Sequence, residues 1–234
     1  MMQKDKKALL SLSGGIDSAT VLTWLLRNGY KVLGCSFLYG SKNNPHELQA
    51  VQKIYEYYKN NYPDGQIGYL SIDISSAFEN VKSNLLKGQD PVPDGDYNNL
   101  SMRQKNIVPS RNIIFLSILS ALAESNGADT VAIGIHKGDD IIYPDCRPPF
   151  FYAMKKAINL GTDGKVRAIA PFLFQNKAEI VKYGLKHGTP YHLTRSCYKE
   201  QEKACGKCEA CVERLEAFRL NGAKDPIEYE IAIT

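Results

Sequence analysis

LSLSGGIDSATVL, residues 10–22, runs an apolar segment into two glycines, an aspartate and a serine, then into a second apolar segment. The first segment reads as a buried strand over residues 8–13. The second reads as a helix over 17–28, with apolar positions at Val21, Leu22, Leu25 and Leu26 and a stop at Asn28-Gly29. Gly14 and Gly15 lack a Cβ, so the turn between them can take positive φ and let a ligand approach the backbone. Asp17 or Ser18 then opens a helix whose first N–H groups are unpaired and whose dipole end is positive. That combination is an anion cradle suited to phosphate, and Ser13 and Ser18 add hydroxyl donors. An ordinary glycine turn with a Ser/Asp cap would need less. Ser-Gly-Gly-x-Asp-Ser placed between a clean strand and a clean helix favours the cradle. Neither the G-x-x-x-x-G-K-[ST] loop nor G-x-G-x-x-G occurs in the chain.

Outward from this stretch, strand and helix patterns alternate. Strands are predicted over 32–39, 67–72 and 130–135, and helices over 45–60, 75–86, 112–125, 150–159 and 178–186. Short links between them predict a doubly wound, mostly parallel α/β sheet, whose ligands sit beyond the carboxyl ends of the strands. Residues 88–106 are rich in Asp, Pro, Gly and Asn and read as a long loop, a length usually reserved for function. In 234 residues, 44% hydrophobic content is enough for a sizeable core, and the net charge of +4 lacks the Lys/Arg tract of a nucleic-acid binder. The longest nearly apolar run, 113–123, is too short for a membrane span, and the start MMQKDKKALL lacks a signal-peptide core. A cytoplasmic location follows as an expectation.

Three further clusters carry chemistry. SCYKEQEKACGKCEAC places Cys197, Cys205, Cys208 and Cys211 at a spacing that suits tetrahedral zinc, with Gly206 allowing a tight turn. Four protein ligands leave no open position, so the role would be structural, and nearby His187 and His192 are not needed. An iron–sulfur cluster is the alternative occupant. HKGDDII followed by YPDCRPPF brings Asp139, Asp140, Asp145 and Arg147 to the ligand side of the sheet. Taken alone, a solvated Pro-rich turn accounts for that stretch, and Cys146 for a small buried residue. In VPSRN, Ser110 can cap the following helix, while Arg111 in its first turn opposes the dipole unless it faces an anion.

SGGIDS resembles the pyrophosphate-binding loop of the PP-loop ATP pyrophosphatases (adenine-nucleotide alpha-hydrolase-like). SGGIDS, VPSRN, YPDCRP, NKAEIV and the cysteine knuckle, in that order, are similar to the 7-cyano-7-deazaguanine synthases, and the likeness runs from about Lys7 to Asp225. The resemblance implies a ligase that adenylates the carboxylate of 7-carboxy-7-deazaguanine and converts it with ammonia to an amide. A second activation then gives the nitrile. It implies ATP with Mg²⁺, held by Leu12, Ser13, Gly14, Gly15, Ile16, Asp17, Ser18, Ala19, Thr20, Val21 and Leu22. Ser13, Asp17, Arg111, Asp145, Arg147 and Lys177 are the implied catalytic residues, with Arg111 and Arg147 expected to face the adenylated carboxylate or the α-phosphate and Asp145 the donor edge of the ring. It also implies one structural Zn²⁺ on the four cysteines, in a segment 191–234 packed on an ATP-binding domain 1–190. A homodimer is expected, without membrane or stable nucleic-acid partner. The chain departs from the family's usual residues at Ser110 (commonly Gly), Lys137 (often acidic) and Ile141-Ile142 (usually Ser-Gly). The last pair is expected to make one pocket wall bulkier, which would suit either the nitrile or an amide made with a larger amine. Two readings compete: a PP-loop enzyme that transfers sulfur to tRNA, and a non-catalytic nucleotide sensor.

Overall fold

The computed structural model describes residues 6–63, 65–94, 100–139 and 141–232. Asp140, one of the charged groups singled out above, lies outside them. Five parallel strands form one sheet in the order β3-β2-β1-β4-β5. They are β1 (Lys6–Ser11), β2 (Tyr30–Leu38), β3 (Ile67–Asp73), β4 (Thr130–Ala132) and β5 (Arg167–Ile169). Helices α1 (Ile16–Arg27), α2 (Asn44–Asn61), α3 (Leu100–Gln104), α4 (Arg111–Ser125), α5 (Pro148–Gly161), α6 (Lys177–His187) and α7 (Glu209–Leu220) surround it.

Side-chain alternation along β1 makes the sheet doubly wound. Ala8, Leu10 and Leu12 face a core shared with α1, α2 and α6, while Leu9 faces the opposite core with Phe115, Leu116 and Leu119 of α4 and Phe151 of α5. Each of these leucines is almost fully buried, contributing roughly 1.5–3 kcal/mol of apolar transfer energy. The chain moves from β1 outward to β3, then returns to the other side of β1. β1 registers Leu9 against Leu33 of β2 and against Val131 of β4. The carboxyl ends of β2, β1 and β4 therefore flank the point where the winding reverses, which is where such sheets bind ligands.

Two expectations change. Residues 75–86 form no full helix: only a single 3₁₀ turn, Ser75–Phe78, is present. Asp73 Oδ1 accepts from the Ser75 N–H and hydroxyl, and the following backbone pairs elsewhere. Lys42 N donates to Leu85 O, Lys87 N to Gly40 O and Asn84 N to Lys105 O. Phe78, Leu85 and Leu86 still reach the core, so the apolar spacing reported burial, not helix. Within the predicted loop 88–106, α3 forms a short helix whose Arg103 makes a buried 2.6 Å ion pair with Glu209 of α7.

Candidate active site

β1 ends at Ser11, and the loop that follows is fixed by its own hydroxyls. Ser13 Oγ and Ser18 Oγ are 3.1 Å apart, Ser13 N donates to Ser18 Oγ, Gly15 N donates to Ser13 Oγ, and Ser18 Oγ donates to Gly15 O. Gly14 has φ +81°, and a Cβ there would stand 2.9 Å from the Glu47 carbonyl oxygen. Both facts require glycine. No side chain caps α1 at Gly15, so its first N–H groups face the open cleft. A Cβ at Gly134, just beyond β4, would stand 3.1 Å from the backbone of Asp17 and Ser18. This glycine, which sequence reasoning passed over, lets the α1 terminus settle against β4.

The loop opens into a cavity with about 1200 Å³ of free space, its mouth included. Leu12, Ser13, Gly15, Ile16, Asp17, Ser18, Arg111 and Lys177 line it, together with Asp139, Glu213, Tyr198, Cys146, Glu47 and Arg195. Ala19, Thr20, Val21 and Leu22 are buried along α1 behind the loop and support it without facing the cavity. Thr20 spends its hydroxyl on Tyr191 at 2.8 Å.

Lys177, at the first position of α6, donates to Asp17 Oδ2 at 2.6 Å and lies 3.2 Å from Glu213 Oε2. Its helix start is fixed by a capping box between Asn176 and Glu179. Burial would lift the Asp17 carboxyl, but Lys177 and then His136 outweigh it and hold it below its ordinary value. Lys177 stays charged because Asp17 and Glu213 overcome the cost of its burial. Glu213 was not foreseen. It comes from α7, whose N-cap residue is Cys208 and which is anchored by the buried Arg214–Asp225 pair at 2.6 Å. Asp139 behaves oppositely to Asp17. Burial, with the nearby Asp17 charge adding to it and Lys177 opposing, raises it to about 6.

Arg111 faces the cavity and donates from Nη1 to the Tyr39 hydroxyl at 3.1 Å. Ser110 does not cap α4: it has φ 57° and makes no side-chain cap bond. Asp145 takes that place, its Oδ2 accepting from Asn112 N at 2.9 Å, which is why a cation is tolerated in this first turn. Asp145 is thus not among the cavity-lining residues, nor is Arg147, which is exposed at the start of α5. The bulky-wall reading of Ile141-Ile142 is corrected in the same way. Ile141 is 64% exposed, Ile142 packs into the core, and neither lines the cavity. Lys137 points to solvent, its backbone bonded to Gln175 O. Cys146 reaches the cavity, but burial first and then neighbouring carboxylates keep its thiol protonated. Cys35, in the centre of β2, is pushed by burial to about 12 and is inert.

The four cysteines of the knuckle lie together, each buried, with their sulfurs within 4.8 Å of one another. The Cys205 and Cys211 sulfurs are 3.8 Å apart. A tetrahedron with metal–sulfur bonds of about 2.3 Å has edges of about 3.8 Å, so this set can hold a metal ion. Backbone N–H groups of Lys199 and Cys205 donate to Cys197 Sγ, and those of Lys207 and Cys208 to Cys205 Sγ, as thiolates require. No histidine belongs to the group. Among the described residues no helix is long and apolar enough to cross a membrane.

An uncapped glycine loop at the switch point of a 3-2-1-4-5 parallel sheet defines an α/β protein of PP-loop-like fold. Its fold is similar to that of the tRNA thiolase NcsA from Methanococcus maripaludis, with TM-score 0.51 and 16% identity over 99% of this chain and 77% of that one. NMN synthetase from Francisella tularensis is alike at TM-score 0.52 and 14% identity, covering 94% and 79%. The chain belongs to the family described as "Queuosine biosynthesis protein QueC", whose model matches residues 7–222. Curated relatives named 7-cyano-7-deazaguanine synthase include one from Caldicellulosiruptor saccharolyticus, 44% identical over 97% of both chains. Another, from Archaeoglobus fulgidus, is 41% identical over 94% of this chain and 89% of its own. The chain is accordingly an enzyme of ligase type, related to synthases of a 7-deazaguanine nitrile.

Proposed function

We propose that this enzyme converts 7-carboxy-7-deazaguanine and ammonia to 7-cyano-7-deazaguanine at the expense of two ATP, each released as AMP and pyrophosphate. The observation that carries the reading is the family match spanning the loop, the cavity and the cysteines at once. The substrate carboxylate oxygen attacks the α-phosphorus of ATP, and pyrophosphate leaves into the loop of Ser13, Gly15 and Ser18, drawn by the α1 dipole. Mg²⁺ arrives on the triphosphate as part of the substrate. Lys177, charged and fixed by Asp17, faces the same space and offsets the charge of the leaving group. Ammonia then attacks the acyl carbon and displaces AMP to give the amide. The amide oxygen attacks a second ATP with release of pyrophosphate, and loss of AMP and both nitrogen-bound protons leaves the nitrile. Arg111 is the cation best placed for the carboxylate and the α-phosphate, because it faces the cavity and its orientation is set by Tyr39.

Zinc is the proposed occupant of the four-cysteine site, where it supplies folding energy and no open coordination position. The six free cysteines fit a reducing compartment, and we place the enzyme in the cytoplasm. An amide-forming ligase rested on a reshaped Ile141-Ile142 wall, and those side chains turn away from the cavity. Sulfur transfer would need a reactive cysteine pair or an iron–sulfur cluster; the Cys146 thiol in the cavity is held protonated by burial, and iron in place of zinc on the four cysteines would favour that reading. The test is incubation with ATP, ammonia and 7-carboxy-7-deazaguanine, followed by mass analysis. Two AMP per nitrile is expected, whereas one AMP with a terminal amide would refute the nitrile.

A further inference from the structure

The amine must lose a proton when it adds to the adenylate, and the cavity holds few groups able to take one. Asp17 is tied to Lys177 at 2.6 Å and Glu213 to the same ammonium at 3.2 Å. Lys177 and Arg111 are fully charged and have no free pair. Tyr39, Tyr198 and Cys146 are held protonated by burial. Glu47, on α2, accepts from Asn44 Nδ2 at 3.0 Å.

Glu47 and Asp139 remain, and of the two only Asp139 has an imidazole against it among the described residues. Asp139 follows β4, lines the cavity with Arg111 and the loop, and makes no ion pair with Lys or Arg among the described residues. Its Oδ2 lies 3.3 Å from Nε2 of His136, whose side chain is fully buried. Gly138 N donates to His136 Nδ1 at 3.0 Å. That bond leaves Nδ1 as the acceptor and puts the ring proton on Nε2, the nitrogen that lies 3.3 Å from Asp139 Oδ2 and 3.8 Å from Asp17 Oδ1. His136, Asp139 and Glu213 also have metal-like spacing. A metal on Nε2 would need the proton on Nδ1, against the Gly138 N–H, and the Lys177 ammonium already lies against Glu213. The cluster therefore sets a ring N–H among carboxylates rather than holding a metal.

We propose that Asp139 is the general base of the amine-addition step, with His136 as its positioning residue; this rests on the ligase reading above. The ammonia lone pair forms the C–N bond, the acyl C–O bond breaks and its electron pair leaves with AMP. One proton passes from the new –NH₃⁺ group to Asp139 Oδ, which returns it to solvent. The groups facing Asp139 are Asp17 of α1, Arg103 of α3, Arg111 of α4, Lys177 of α6, Glu209 and Glu213 of α7, His136, Tyr143, Cys146 and Tyr198. Their balance leaves its carboxyl titrating at about 6, ionised at neutral pH yet more basic than an ordinary aspartate.

The test separates the two half-reactions in Asp139→Asn. Adenylation is read as 7-carboxy-7-deazaguanine-dependent exchange of labelled pyrophosphate into ATP without amine. Aminolysis is read as amide formed from ammonia. Exchange within about three-fold of wild type is expected, with amide formation down by 10²–10⁴-fold and the acid limb near pH 6 gone from its pH profile. Hydroxylamine, unprotonated at neutral pH and giving an adduct that yields its proton readily to water, should restore acyl transfer. Loss of exchange together with aminolysis, or amide formation at the wild-type rate, would overturn the assignment. Absence of exchange in the wild-type enzyme would instead overturn the ligase reading itself.

Discussion

Ser110 sits in the left-handed region at φ 57°, exposed, with no side-chain cap bond. A non-glycine residue in this conformation costs roughly 1–2 kcal/mol, and glycine gives back roughly 0.5–1 kcal/mol through its looser unfolded chain. Ser110→Gly should therefore stabilise the enzyme by about 0.5–1 kcal/mol, a rise in Tm of roughly 1–4 °C for a chain of this size. Ser110→Ala keeps the strained backbone and breaks no bond, so it should lie within about 0.5 kcal/mol of wild type. A true N-cap would behave in the reverse way: alanine would cost about 1 kcal/mol and glycine only a few tenths. Urea unfolding of the three proteins, compared at equal m, distinguishes the two. A destabilised alanine variant together with an unimproved glycine variant would refute the conclusion that Asp145, not Ser110, caps α4.

Lys177→Met leaves Asp17 and Glu213 facing each other without their shared cation. It should cost roughly 2–4 kcal/mol and abolish pyrophosphate exchange, and retained exchange would exclude Lys177 from ATP activation. Cys208→Ser should release the proposed zinc, measured by elemental analysis, and weaken ATP binding as well, because Cys208 is the N-cap of α7, which carries Glu213 to Lys177. Undiminished ATP affinity in the zinc-free variant would disconnect the two. Asp139 has a folded pKa near 6, above the unfolded carboxylate value, so the folded state binds the extra proton between about pH 4 and 6. Stability should fall as pH rises through that window, and Asp139→Asn should stabilise the protein at pH 7 by on the order of 1–3 kcal/mol. That gain should vanish below pH 4, and a gain that persists there would contradict the shift.

Local chemistry made much of the protein readable in advance. Ser-Gly-Gly-x-Asp-Ser between two apolar segments already contains the open loop at the head of α1, because a positive-φ glycine and an uncapped helix start are properties of neighbouring residues. The four cysteines fall within 15 positions, so the chain between them brings the sulfurs together with little help from the rest of the molecule. Long-range packing decided the remainder. The apolar pattern at 75–86 was equally consistent with a helix and with an irregular segment pinned to Gly40 and Lys42, and only backbone pairing across the fold selects the second. β5, three residues long, exists because it completes the edge beside β4. Asp145, Arg147, Ile141 and Ile142 were placed on the ligand side by their position after β4, yet sequence position does not say which side of a loop a side chain takes. The Asp17–Lys177–Glu213 bridge joins residues from three separate parts of the chain and does not exist until the sheet, α6 and α7 have closed around it. His136 and Asp139 are only three positions apart, but their burial, and with it their protonation, comes from the elements packed over that loop.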